Sequence, residues 1–423
     1  MRLTPDQQAM LDGAKGETLA KVMKTLVMYG EAFGAEEMVP VTAEKGHLVT
    51  SFGLSMMKPV YDLMDQLIEG GAVNGQKFSV DPRPLDPNVP TNLLQKLVFK
   101  FMYSKQDDYE AQLRQLGLLE ADAFTCTCYL PQVGNEPKQG QVLSWAESSA
   151  VVYANSVLGA RCNRNSGILE LFGSIAGCVP KFGLLTDEGR KANWVVQVKT
   201  SRRPEAQILG SAIGMKVMED VPYIQGLDQW LGGQLDDAVK AYLKDMGAAS
   251  ASNGAVGLYH VEGITPEACQ QGKALIRPDA QVYVIDDAEL ERVRASYPCI
   301  WKDPNAKPKL CFVGCPHLSL EQLNQWTGDL CAALEKAGRK TVAVPTVFTA
   351  APAVAKAFAK TPAAARLKDT GVVLSSICPL MYMNNPLCGK MPVATSSNKL
   401  RTYSSARYYT DAEMLQIMVK GEC

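Results

Sequence analysis

No apolar run in this sequence is long enough to span a bilayer. The longest candidate, Val342 to Val347, falls far short of the ~20 residues a membrane helix needs, and Gly, Pro and charged residues interrupt the others. No membrane span is therefore expected. The opening MRLTPDQQAML has no continuous apolar stretch followed by a small-residue cleavage site, so the expectation is a cytoplasmic protein. Histidine is scarce: only His47, His260 and His317 are available, too few for histidine-rich zinc chemistry. No Cys-x-x-Cys pair occurs, which removes the compact signatures of ferredoxins and zinc ribbons. Neither sign of charge dominates, with 43 Lys and Arg against 44 Asp and Glu, so no broad electrostatic claim on nucleic acid or an anionic membrane arises.

What is present describes a folded protein of several domains. The chain has 423 residues, 47% hydrophobic, and its 34 Gly and 24 Pro stay well below a disordered or collagenous profile. Thr4, Pro5 and Gln7 form a helix start, and Leu19, Val22, Met23, Leu26 and Val27 make one stripe of a second helix that stops at Gly34. Asp81 to Pro90 holds four prolines and reads as a covering loop. Phe124 to Tyr129 reads as a strand, Ser144 to Leu158 as a helix, and Gly159 to Gly167 as a polar loop. The last third alternates strand and helix: Leu310 to Val313, a tight loop Gly314 to His317, a helix capped by Ser319, a strand at Thr341 to Val344, and a strand at Gly371 to Leu374. Ala280 to Ile285 reads as a buried strand. These patterns divide the chain into 1–123, an N-terminal helical and covering segment; 124–268, an α/β unit; and 269–423, a Rossmann-like α/β unit.

Twelve cysteines are too dilute for a disulfide framework and more than a core needs as small hydrophobes, so in a reducing compartment some should be ligands or nucleophiles. Cys126, Cys315 and Cys378 share a context, each at the end of a strand-like run, the latter two followed by proline. At the strand ends of an open α/β sheet, where ligands bind, such thiolates can meet in one cleft. Thiolates are soft donors and match iron better than magnesium or calcium. Cys178, Cys269, Cys311, Cys331 and Cys423 read as inert buried residues.

Gly46 to Gly53, Thr125 to Pro131 with its Gly134-Asn135 loop, Trp145 to Arg161, Asn163-Arg164, Val313 to His317 and Ser396 to Lys399 carry a resemblance that extends over nearly the whole chain. The chain resembles the large subunit of aconitase X, a divergent branch of the aconitase superfamily. The resemblance implies an α/β fold, an aconitase-like body of several three-layer α/β domains around an iron–sulfur cleft. It implies a hydro-lyase whose iron acts as Lewis acid on a substrate hydroxyl. Cys126, Cys315 and Cys378 are its implied metal ligands, with Cys128 and Cys388 in reserve, and the nuclearity of the cluster stays open.

The same resemblance places the loop of His47 and Ser51 near the substrate, with His47 as a donor to the leaving hydroxyl. Arg161 and Arg164 suit a carboxylate or phosphate, because guanidinium forks bind such groups bidentately. Ser396, Ser397 and Lys399 add a donor cluster in a loop, and Glu147 and His317 support the cluster or substrate from behind. The catalytic base is expected outside this sequence, on a separate small swivel-domain subunit. Two hydroxy-acid substrates are usual for the family, cis-3-hydroxy-L-proline and mevalonate 5-phosphate. With no concentrated Lys/Arg loop for a phosphate, the sequence favours hydroxyproline; mevalonate 5-phosphate and, outside catalysis, an iron–sulfur or redox-sensing protein are the alternatives.

Overall fold

The computed structural model describes residues 1–73 and 75–422. Cys423, read above as inert, lies outside them. No helix among the described residues is long and apolar enough to cross a membrane.

The chain is an α/β protein built on two parallel sheets and an N-terminal layer. In the N-terminal layer, Lys45–Leu48 pairs in parallel with Lys77–Val80, and Met38–Pro40 pairs antiparallel with Cys178–Pro180. Helices Glu17–Ala32, Lys58–Glu69 and Gln106–Leu116 bury Met23, Met64 and Leu113 around them. The middle sheet runs in the order His260–Val261, Pro222–Gln225, Ala192–Val198, Ile276–Ile285, all parallel. The last sheet runs Val373–Ser375, Thr346–Ala350, Leu310–Leu318, Val393–Thr395, Arg407–Tyr408, again all parallel.

Four sequence expectations change here. Strand Ile276–Ile285 pairs with Ala192–Val198, so a boundary at 268 falls inside the middle sheet. That strand is an edge, and Val282 and Val284 are exposed rather than buried. Gly314 to His317 is no loop: the strand runs unbroken from Leu310 to Leu318. Gly314 makes this possible at φ +105°, because a Cβ there would sit 2.5 Å from Thr349 O, and the ladder shifts register beside it. Phe124 to Tyr129 forms only one bridge, Val80 to Phe124, since the Thr125 hydroxyl accepts the Thr127 N–H at 3.0 Å and turns the backbone off the ladder. Ser397 caps helix Asn398–Tyr403, so Ser396 to Lys399 is a helix start.

The proline-rich segment does act as a cover. Arg83 O accepts the Cys378 N–H at 2.8 Å, Pro90 O accepts from Tyr382 Oη at 2.7 Å, and Ser375 Oγ donates to Asp86 at 2.5 Å. This strap ties the N-terminal layer to the end of the last sheet.

One buried carboxyl in the N-terminal layer is held as the neutral acid. Burial pushes Glu170 up to about 8, although Ser144 and Asn165 pull the other way. The bonding agrees: Ser144 Oγ donates to Glu170 O at 2.8 Å, leaving its lone pairs to accept the carboxyl proton from Oε2 at 2.6 Å, while Oε1 accepts from Asn165 Nδ2 at 2.7 Å. A raised acid makes the folded state bind more protons than the unfolded one, so stability falls as pH rises from 4.5 to about 8. Glu170→Gln should remove this slope. Chemical unfolding across that range should show the variant gaining on the parent as pH rises; parallel curves would refute the neutral assignment.

Candidate active site

Three segments far apart in sequence converge on His317. Its Nε2 lies 3.1 Å from Ile377 O, a carbonyl that can only accept, so Nε2 carries the proton. Nδ1, 3.2 Å from Thr125 Oγ1, then accepts from that hydroxyl. Burial drives His317 down to about 4, in keeping with this neutral tautomer. Its backbone N–H points at Cys126 Sγ, 3.4 Å away. One residue thereby joins the segment of Cys126, the strand of Cys315 and the residue before Cys378.

The cysteines differ in one respect. Cys126, Cys315 and Cys378 keep 9%, 7% and 8% of their surface, whereas Cys128, Cys162, Cys311 and Cys388 are sealed at 0%. Cys126 and Cys378 each sense the charge of Cys315, and burial raises all three thiols, Cys315 to about 11. Cys388 lies instead against Tyr382 in the core of the last sheet. Cys128 faces His47.

Beside the three thiols stands a buried ion pair. Glu147 opens helix Ser148–Ser156 at φ +94°, a strained backbone for a residue with a side chain. Its carboxylate accepts from Ser149 Oγ at 2.6 Å, from the Ala150 N–H at 2.7 Å, and from the Lys399 ammonium. Burial opposes its charge, but Lys399 and Ser149 outweigh that and hold Glu147 low, at about 2. Burial likewise opposes the charge on Lys399, which Glu147, Cys315 and Cys126 raise.

A second pair faces it. His47 Nδ1 lies 3.0 Å from Ser79 Oγ, and Nε2 is 3.5 Å from Asp81 Oδ1, too far for a good hydrogen bond. Both of the latter atoms are buried without a hydrogen-bond partner. Against the cost of burial, Cys128 and Asp81 raise His47 to about 10; burial and Glu147 push Asp81 up to about 6.

The remaining candidates divide. Ser51 donates to Tyr61, whose own hydroxyl donates to Leu54 O, so its hydroxyl is turned to Tyr61. Ser397 donates to Cys315 O, and Ser396 bonds Asp411. Arg161 is committed to Asp187 and Leu185 O. Arg164 keeps an exposed surface and forms no ion pair among the described residues; the partial burial of its guanidinium lowers it, against the smaller pulls of Tyr403 and Glu147. Two participants escaped sequence reading. Asp81 was hidden in the proline-rich strap, and Lys244, which donates to His317 O at 3.2 Å, sits in the middle unit without a motif around it.

Among the described residues, no three His, Cys, Asp or Glu side chains stand close enough to share a single ion. A polynuclear cluster asks for something else, because its cysteines can be shared out among different irons. Three slightly open thiols, one holding an N–H donor and two sensing the Lys399 charge first or second among their neighbours, suit such a group.

Profiles of two domains match the chain, "Aconitase X first domain" over residues 1–188 and "Aconitase X second domain" over 192–295. The chain belongs to the aconitase X family. It is 31% identical to the phosphomevalonate dehydratase large subunit of Thermococcus kodakarensis, over 84% of this chain and 82% of that one. It is 26% identical to the cis-3-hydroxy-L-proline dehydratase of Hypocrea jecorina, over 81% of this chain but 55% of that one. The crystal structure of Thermococcus kodakaraensis aconitase X in its holo form superposes with a TM-score of 0.80 at 28% identity, covering all of both chains. As an aconitase X protein related to these dehydratases, the chain is a hydro-lyase.

The ion pair is open to a direct test. Lys399→Met strands a buried carboxylate and should cost ~3–5 kcal/mol in urea unfolding. The double variant Lys399→Met/Glu147→Gln should recover most of that loss. Equal destabilisation of the two variants would show that the lysine contributes through packing alone.

Proposed function

We propose that this aconitase X chain is the large subunit of an iron–sulfur hydro-lyase that removes water from mevalonate 5-phosphate, with Cys126, Cys315 and Cys378 holding the cluster. The carrying observation is the trio of cysteines left slightly open around Cys315 while Cys128, Cys162, Cys311 and Cys388 are sealed and Cys178 keeps only 3%. Bound there, the cluster supplies Lewis acidity toward a departing hydroxyl. The proton-donating and anion-binding roles fall to the chain's own side chains. His47, raised to about 10, holds a proton in the site at neutral pH and faces Asp81 at 3.5 Å. Lys399 keeps Glu147 anionic and sets a positive charge beside the thiols. Arg164, unpaired at the rim, is the free guanidinium for a carboxylate or phosphate, whereas Arg161 is already neutralised by Asp187.

For the substrate, the relatives support the phosphorylated acid better than the imino acid favoured by the sequence. The dehydratase named for phosphomevalonate is the more similar, and it matches over most of its length. A contiguous basic loop is not required, since folding can supply cations such as Arg164 and Lys399 from stretches far apart in the sequence. The name "large subunit" borne by that relative supports a separate small subunit here too.

Anaerobic co-expression with the small subunit, iron and sulfide analysis, and dehydration assays on both acids test this reading. Cys126→Ser, Cys315→Ser and Cys378→Ser should each lose most of the iron and at least ~100-fold in turnover, while Cys331→Ala keeps both. Full iron in the Cys378 variant would exclude it as a ligand. Turnover of cis-3-hydroxy-L-proline with none of mevalonate 5-phosphate would reverse the substrate assignment.

A further inference from the structure

Helix Asp237–Asn253 of the middle unit, the start of helix Leu320–Lys336 in the last unit and the turns at 129–136 meet around one cleft. Its inner wall includes Tyr129, 1% exposed, whose hydroxyl is buried without a hydrogen-bond partner. Tyr153 stacks on that ring, with 3.9 Å between centroids and 13° between planes, and holds it in place. Buried polar groups are nearly always paired, so a fixed phenol left without a partner in the wall of a cleft marks a place where something bound supplies one.

Further donors gather beside it. Lys244, 2% exposed, spends two of its three N–H bonds on Asp245 at 2.7 Å and on His317 O at 3.2 Å, and keeps the third. Lys240, one turn earlier on the same helix, also lines the cleft and forms no ion pair among the described residues. At the start of helix Leu320–Lys336, the Ser319 hydroxyl accepts the Gln322 N–H at 3.2 Å and its carbonyl accepts the Leu323 N–H at 2.9 Å. The N–H groups of Leu320 and Glu321 have no intrahelical acceptor and remain as donors at the positive end of a 17-residue helix.

Acids occupy the mouth. Glu136, Asp237 and Glu321 line the cleft, are exposed, and form no ion pair among the described residues. Charge therefore changes sign between the buried floor and the mouth. A plain anion reaching the donors would meet three carboxylates, and a plain cation would meet two lysines and a helix N-terminus. A zwitterion with its carboxylate inward and its ammonium outward satisfies both ends. Leu130 and Leu320, beside the tyrosine rings, add apolar contact for an aliphatic side chain.

We propose that this cleft is a second small-molecule site that takes an aliphatic α-amino acid, its carboxylate bonded to Tyr129 Oη and Lys244 Nζ and its ammonium facing Glu136, Asp237 and Glu321. The inference stands apart from the dehydration reading, since no residue given a role there lines the cleft.

Isothermal titration calorimetry of the purified full chain with L-leucine tests it. One site should fill. 4-Methylpentanoate, which lacks the ammonium, and 3-methylbutylamine, which lacks the carboxylate, should each bind at least ~10-fold more weakly. Tyr129→Phe keeps the stacked ring and should weaken leucine at least ~10-fold, while its melting temperature without leucine should not fall, because the hydroxyl has no partner to lose. Arg164→Ala should bind leucine as the parent does. Absence of leucine binding to the parent, or undiminished binding by Tyr129→Phe, overturns the site. Equal binding of 4-methylpentanoate makes the cleft a plain anion site and overturns the amino-acid assignment. Loss of leucine binding in Arg164→Ala gives the ligand to the locus of the cysteines, which also overturns the proposal.

Discussion

A neutral imidazole can join two segments only if one ring nitrogen donates and the other accepts, and His317 is placed to do both. Ile377 O takes its proton and the Thr125 hydroxyl gives one back, while the backbone of the same residue donates to Cys126. Protonation would turn Nδ1 into a second donor, and the Thr125 hydroxyl would have to swing its own proton away from the ring toward Thr127 Oγ1, 3.1 Å off. Burial prevents that by holding His317 near 4. The placement of the three thiols thus depends on a desolvated ring staying uncharged. Lys244, donating to His317 O, fixes the backbone of the same strand from the middle unit.

Charge in this region is arranged to receive negative groups. Buried ionised thiols and carboxylates are costly unless compensated, and the compensating cations come from outside the cysteine segments. Lys399 reaches in from the start of a short C-terminal helix and meets Glu147 from the N-terminal third. Because the pair is internal, Lys399 offers less than a full charge to a ligand. Arg164 has no such partner among the described residues, which is why it and not Arg161 carries the anion-binding role in the proposed function. The two arginines look interchangeable in sequence, three residues apart; Asp187, 26 residues downstream of Arg161, separates them.

Cys126, Cys315, Cys378, His47, Glu147, His317 and Lys399 lie in short, distinctive stretches that sequence reading singles out, and the fold brings those stretches together through His317 and the Glu147–Lys399 pair. What sequence could not show was orientation. Ser51 reads as a free hydroxyl until Tyr61 takes it, and the Ser396 to Lys399 donors read as a loop until Ser397 caps a helix with its side chain. Asp81 was masked by the prolines after it, whose backbone message overrode its chemistry. Strand Ile276–Ile285 was assigned to the wrong unit because parallel partners are chosen across long crossovers, a non-local pairing that leaves no mark in the strand itself. Gly314 reads as a turn residue, yet serves a bulge that lets the strand carry Cys315 onward.

Abstraction of a carbon-bound proton works best with a base whose pKa lies near the operating pH. Glu147, held at about 2 by its lysine, is too weak a base for that work. His317 is neutral but has both nitrogens engaged, and His47, raised to about 10, already carries its proton. Asp81, at about 6, has the right strength, yet its carboxylate faces His47 in the buried interior and is better suited to holding that imidazolium than to reaching a substrate. The body therefore offers a proton donor, anion-binding cations and thiol ligands, and lacks a free base of suitable strength among these groups. Under the proposed function, that base comes from the separate small subunit.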